Sequence, residues 1–364
     1  MNRCLARQQA QSSFCSLPEE LWIEVLSHLE GKDIGRAVCT TRMFSGQRDL
    51  VWRRACERRW PCWAKVARAP DTQWKRQFEL LELRQREQAV IPSIATIQRI
   101  QKVVTGGHRA VLTEWLAEVS WDWSLESTIV FKAVSYLDHF LSNTGVKNLS
   151  RFQLLGIACL REAMGDTRRR LPIRLSEQDK NLDPARFAFI SDRTYTVEEV
   201  EQATRTVAES VPEEIRDAPN GKMFLRSFWY RGVAALITEP EEMHIYTVAS
   251  FLLQLSLLDL DCAGYPNSLL AASALSVALD AFGKEPWPMA LQQYSAYLPI
   301  DVEPVRLKLK ALQATLKARH LRVIWRNHHE NHGYSEFAED WQRTLSVLQG
   351  PSEISMYCPR TLPL

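Results

Sequence analysis

His108-Arg109-Ala110-Val111-Leu112-Thr113-Glu114-Trp115-Leu116-Ala117-Glu118-Val119 places Leu112, Trp115, Leu116 and Val119 at i, i+3, i+4 and i+7. That spacing gathers apolar side chains on one broad face of an α-helix. Helical runs follow around Ile129 to Leu141, Leu149 to Ala163 and Val197 to Val207. A second series starts near Met223 and includes Tyr246 to Leu258 and Leu269 to Ala281, the last rich enough in Ala, Leu and Ser to be buried on several sides. No convincing series of alternating strands interrupts them. The pattern predicts an all-α array of about ten helices.

A chain of 364 residues exceeds one comfortable core, so two or three domains are expected. Glycine is sparse, at 14 residues, which leaves few tight β-turn positions and favours helices. Forty-five basic and forty-three acidic side chains nearly cancel, so no global field commits the chain to nucleic acid or membrane. No apolar stretch of transmembrane length occurs, and Met1 to Ser16 lacks the apolar run of a signal peptide. Eight cysteines without CxxC spacing read as reduced thiols in the nucleus and cytoplasm.

Near the amino end, Ser16-Leu17-Pro18-Glu19 has the form of a capping box, and Leu21, Val25 and Leu29 recur every four residues with Leu26 beside them. Gly31 is expected to stop this helix and Asp33 to cap the next, which carries Ile34, Ala37 and Val38. A third short helix holds Leu50, Val51 and Trp52. The apolar stripe either packs on the chain itself or waits for a partner; spacing does not separate the two. Residues 53–90 interleave Arg53, Arg54, Arg59, Trp60, Trp63, Trp74 and Arg76 with acids such as Glu57, Glu82 and Glu87. They read as a helical brace rather than a nucleic-acid surface. Pro92 marks the next junction.

SLPEELWIEVLSHLEGKDIGRAVCTTRMF (16–44) followed by DLVWRRAC (49–56) resembles an F-box. HRAVLTEWLAEV (108–119), FKAVSYLDHFLS (131–142), RFQLLGIACLREA (151–163) and ISDRTYTVEEV (190–200) resemble successive helices of the cyclin box. FLLQLSLLDLDCAGYPNSLLAASALSVAL (251–279) and IWRNHHENHGYSEFA (324–338) follow the order of its second repeat. The combination is most similar to cyclin F. It implies an all-α chain with a flexible N-terminus (1–15), a three-helix F-box (16–56), a helical connector (57–91), two five-helix cyclin boxes (92–210 and 211–335) and a tail (336–364).

The F-box resemblance implies a non-catalytic substrate receptor of a Skp–cullin–F-box ubiquitin ligase, directing ubiquitin-dependent degradation and linked to the cell cycle. Leu17, Pro18, Leu21, Val25, Leu26, Leu29, Ile34, Val38 and Trp52 would contact the Skp adaptor. The cyclin resemblance implies a buried Arg109–Asp138 salt bridge. It also implies a docking patch for Arg-x-Leu peptides at His108, Val111, Leu112, Trp115 and Gln153, with Glu118 facing the peptide Arg. From the residues themselves, Leu112 and Trp115 read equally well as core. The alternative function is a regulatory subunit of a cyclin-dependent protein kinase. Against it, Gly165 and Thr204 stand where kinase-activating cyclins carry a Lys and a Glu, and Thr167 to Arg170 with Pro172 lengthen the following connection.

His328, His329 and His332 miss the HExxH spacing by one residue, so no metal site is expected. No P-loop, dinucleotide fingerprint, kinase signature or nucleophile elbow occurs, and neither catalytic residues nor a cofactor are expected.

Overall fold

The computed structural model describes residues 18–40, 48–61, 73–170, 181–237 and 241–315. The expected contact Leu17 and the histidines 328, 329 and 332 lie outside the described residues. Two compact units divide the chain, Met1–Gln85 and Arg86–Leu364.

The first unit holds α1 (Glu19–Ser27), α2 (Gly31–Thr40), α3 (Arg48–Arg59) and the start of α4 (Trp74–Gln88). Gly31 opens α2 instead of stopping α1, which ends on His28, and Asp33 falls inside the first turn of α2. Trp22, Ile23, Leu26, Ile34, Val38, Val51, Trp52, Ala55, Cys56 and Phe78 form one core. Phe78 is the pivot. The rings of Trp52 and Trp60 each meet it edge-on at 5.1 Å. Two exposed arginines of the brace lie along its own aromatics and acids: Arg53 lies 5.5 Å from the centre of the Trp74 ring, and Arg59 reaches Glu82 at 3.1 Å.

The second unit opens with α5 (Ile94–Ile100), whose cap Ser93 accepts from the Thr96 amide at 3.3 Å. One five-helix series follows: α6 (Gly106–Asp122), α7 (Thr128–Asn143), α8 (Phe152–Arg170), α9 (Pro184–Phe189) and α10 (Val197–Ser210). After the single turn α11 (Glu213–Arg216) comes a second series: α12 (Gly221–Phe228), α13 (Glu241–Ser256), α14 (Asn267–Ala281), α15 (Met289–Ser295) and α16 (Pro299–Thr315). In each series the third helix is the hub. α8 packs against α6, α7 and α10, and α14 against α12, α13, α15 and α16.

Such a hub must be apolar or small all round. Every residue from Ser268 to Leu279 is buried, in keeping with the Ala-Leu-Ser composition of that stretch. α8 extends beyond the expected run. Thr167 to Arg170 form its last turn rather than a connection: Thr167 Oγ1 donates to the Ala163 carbonyl at 2.7 Å, and the arginines suit the negative end of a helix dipole. α10 begins on a capping box the sequence carries openly, with Thr196 accepting from the Glu199 amide at 3.2 Å and Glu199 accepting in return at 3.1 Å. Among the described residues, no helix is long and apolar enough to cross a membrane.

Candidate partner-binding site

α6 starts on Thr105, whose hydroxyl accepts from the His108 amide at 3.3 Å; His108 Nδ1 accepts from the Thr105 amide at 3.2 Å. His108 therefore closes the cap, which orients its ring along the helix start. One residue on, Arg109 turns into the core. Its Nε and Nη2 grip Asp138 of α7 at 2.5 and 2.7 Å, and its Nη1 donates to the Leu257 carbonyl at 2.7 Å. Burial opposes the guanidinium charge, but Asp138 outweighs it and keeps the proton more firmly held than usual.

The residues of the expected docking patch divide by burial. Val111 is 62% exposed, whereas Leu112 is 6% exposed. His108, Trp115, Glu118 and Gln153 are half-buried. Leu112 is core because α6 and α8 touch there: a Cβ on Gly156 would stand 2.7 Å from Leu112 Cδ1, closer than such atoms pack. Val111, with His108, Trp115, Glu118 and Gln153 partly open, is what the patch presents.

The other face of α8 carries a charged network that the sequence did not reveal. Asp166 is buried, yet Tyr136 donates to it at 2.8 Å, Arg170 Nε at 2.7 Å, and the Lys132 ammonium closes on the same carboxylate. Burial alone would raise Asp166, but the hydrogen bonds from Lys132 and Arg170 prevail and hold it down at about 2. Glu162, one turn earlier, takes Arg216 at 2.5 Å and Arg169 at 2.8 Å, and Arg216 also donates to the Ala208 carbonyl at 2.7 Å. Four basic side chains are thus gathered around two inward carboxylates, tying α7, α8, α10 and α11 together.

Beside this network lie Gly165 and Thr204, both buried; the Thr204 hydroxyl is spent on the Val200 carbonyl at 2.8 Å. Neither position offers a charge. Among the described residues, no group of three acidic, histidine or cysteine side chains is placed to hold a metal.

Two family descriptions match the chain: the cyclin N-terminal domain over residues 79–212 and the cyclin C-terminal domain over residues 219–340. The G2/mitotic-specific cyclin C13-1 of Daucus carota is 30% identical over 261 residues, which cover 71% of either chain. The chain belongs to the cyclin family. Cyclin-A1-2 of Oryza sativa subsp. japonica is 33% identical over 221 residues, 60% of this cyclin and 43% of that relative, so the match spans less than half of the rice protein. A viral cyclin from herpesvirus saimiri shares the fold, with a TM-score of 0.51 at 20% identity over 64% of this cyclin and 97% of the viral chain.

These findings overturn the reading of the chain as an F-box protein of the cyclin F kind serving a Skp–cullin ligase. The matched families are the two cyclin domains and the relatives are A-type and mitotic cyclins. There is a physical reason for the misreading. Leu26, Ile34, Val38 and Trp52, expected to contact an adaptor, fill the first unit's own core, while Pro18, Leu21, Val25 and Leu29 are exposed.

Proposed function

We propose that this cyclin is a non-catalytic regulatory subunit of a cyclin-dependent protein kinase. The observation that carries the reading is the tandem of five-helix repeats, matched to both cyclin domains and to A-type and mitotic relatives. With Gly165 and Thr204 uncharged, two charge-assisted contacts attributed to kinase-activating cyclins are missing, so kinase choice rests on other side chains. The exposed Val111, with Trp115, Gln153 and Glu118 around it, serves as a shallow docking patch for Arg-x-Leu peptides of substrates. An apolar anchor beside one carboxylate fits a short basic-apolar peptide.

The test is capture of purified cyclin-dependent kinases on the immobilised chain, followed by phosphorylation of histone with and without it. Stable association and stimulated phosphorylation with at least one kinase are expected. A full panel that neither binds nor responds would sink the reading.

A further inference from the structure

Arg161, Gly165 and Arg169 stand at i, i+4 and i+8 on α8 and so share one face of the helix. Arg169 folds back over Gly165, with Nη1 3.4 Å from the place a Cβ would take. Leu182 covers the same spot from the other side, its Cδ1 at 3.6 Å, and the Leu182 carbonyl accepts from Arg161 Nε at 3.0 Å. Leu182 therefore meets both arginines' surroundings: its carbonyl holds Arg161, and its side chain lies at the Gly165 spot that Arg169 approaches.

The two arginines are anchored but not saturated. Arg169 Nη2 is held by Glu162 at 2.8 Å and by Asp166 at 3.5 Å, yet its side chain is still 57% exposed. Those carboxylates do not depend on it, since Lys132, Tyr136, Arg170 and Arg216 already serve them. Among the described residues, Nε and Nη1 of Arg169 and both Nη groups of Arg161 have no acceptor. Guanidinium groups fixed in advance lose little rotamer freedom when an anion arrives, and their planar donors match a carboxylate. Half-buried Leu182 between them offers an apolar surface. The methylenes of a Glu side chain would use that surface, whereas a free phosphate would not.

We propose that Arg161 and Arg169 form an anchored pair that receives a glutamate side chain of a partner protein. The partner is taken to be the kinase, and that part rests on the function proposed above.

The pair is tested on the full chain in two arms. In the first, the side-chain Nε–H signals of the arginines are followed by NMR while acetyl-Leu-Glu-Glu-Leu-amide, its Gln-for-Glu counterpart or inorganic phosphate is added. The Arg161 and Arg169 signals are expected to move with the Glu peptide alone, and R161Q/R169Q to abolish the response of the chain. No movement, uniform movement of all surface arginines, or a stronger response to phosphate would overturn the pair. In the second arm, affinity for a captured kinase is expected to fall about tenfold or more in R161Q/R169Q and to stay unchanged in R168Q. Equal affinity of the double variant and the wild type overturns the kinase contact. A Glu-selective response without any bound kinase upholds the pair for another protein and sinks the kinase reading instead. Should R161Q/R169Q melt early, R161K/R169K keeps the charges but not the planar forks, and a several-fold weakening is then the expected result.

Discussion

Arg109 of the first five-helix series donates to the backbone carbonyl of Leu257 in the second, 148 residues away, at 2.7 Å. The same guanidinium grips Asp138 with its other two nitrogens. One side chain thus fastens α6 to α7 and both to the end of α13. Removing either partner of a buried pair leaves a charge without compensation, at a cost of about 3–5 kcal/mol. Arg109→Ala and Asp138→Ala are each expected to lose that much in urea unfolding at neutral pH. Arg109→Ala should also broaden the transition, because it alone frees the Leu257 carbonyl. A loss under about 1 kcal/mol for both, the range of an exposed pair, would contradict the geometry.

Gly156 and Gly165 lie nine positions apart on one helix and are expected to answer the same substitution with opposite signs. At Gly156 a methyl group meets Leu112 at 2.7 Å, and overpacking of that kind costs about 1–3 kcal/mol. At Gly165 the nearest atoms stand at 3.4 and 3.6 Å, ordinary contact distances, so the helix propensity of Ala should prevail by about 0.5–1 kcal/mol. Thermal melts of G156A and G165A give the comparison. Two stabilising shifts would contradict the close approach of α6 and α8, and two destabilising shifts the open space beside Gly165.

Glu87, written in the sequence as one more acid in a charged connector, is 1% exposed and receives the Ser268 amide at 2.9 Å in the first turn of α14. The Ser268 hydroxyl bonds to the same carboxylate and to Tyr297 at 2.7 Å. An early amide of a helix has no partner within the helix, and a negative charge there also suits the dipole. Glu87→Ala is expected to cost about 2–3 kcal/mol and Glu87→Gln about 1 kcal/mol. Hydrogen exchange should speed up at the amides of Ser268 to Leu270 and not at the far end of α14. Unchanged exchange at those amides would remove Glu87 from the cap.

What the sequence revealed and what it hid follow from range. The i, i+3, i+4, i+7 pattern of Leu112 to Val119 depends only on neighbours within two turns, and it located α6; the small residues of 269–281 likewise located the buried hub α14. Glu87 and Ser268 are 181 positions apart, and nothing local to either announces the other. The Asp166 network was hidden for the same reason: Thr167-Arg168-Arg169-Arg170 reads as a polar loop until Tyr136, 30 positions from Asp166, and Asp217, 47 positions from Arg170, are seen to join it. The misreading of the first unit is instructive in the same way. An apolar stripe has one spacing whether it faces its own core or a partner, and only in three dimensions does Leu26 part from Leu21, Val25 and Leu29, packing with Trp22 and Phe78 while they stay exposed.

Lys222, in the first helix of the second series, is buried and among the described residues reaches only a hydroxyl, that of Ser250 on α13. Arg109 reaches a carboxylate from the corresponding helix of the first series, whereas among the described residues no carboxylate is in contact with Lys222. Burial pushes the Lys222 ammonium down to about 8, with Glu126 offering partial relief. In the unfolded chain the group titrates near 10.4. Below pH 8 both states hold the proton and the penalty for burying the charge is fully present. As pH rises from about 8 to about 10.4 the folded state releases its proton first, the unfolded state binds more, and stability rises. Lys222→Met, which keeps the length of the side chain without its charge, is expected to raise stability at neutral pH and to remove that alkaline rise. Urea midpoints of the wild type and the variant from pH 7 to 10 decide it. A wild-type midpoint that stays flat or falls across this range, in parallel with the variant, would show that Lys222 keeps an ordinary ammonium in the folded cyclin.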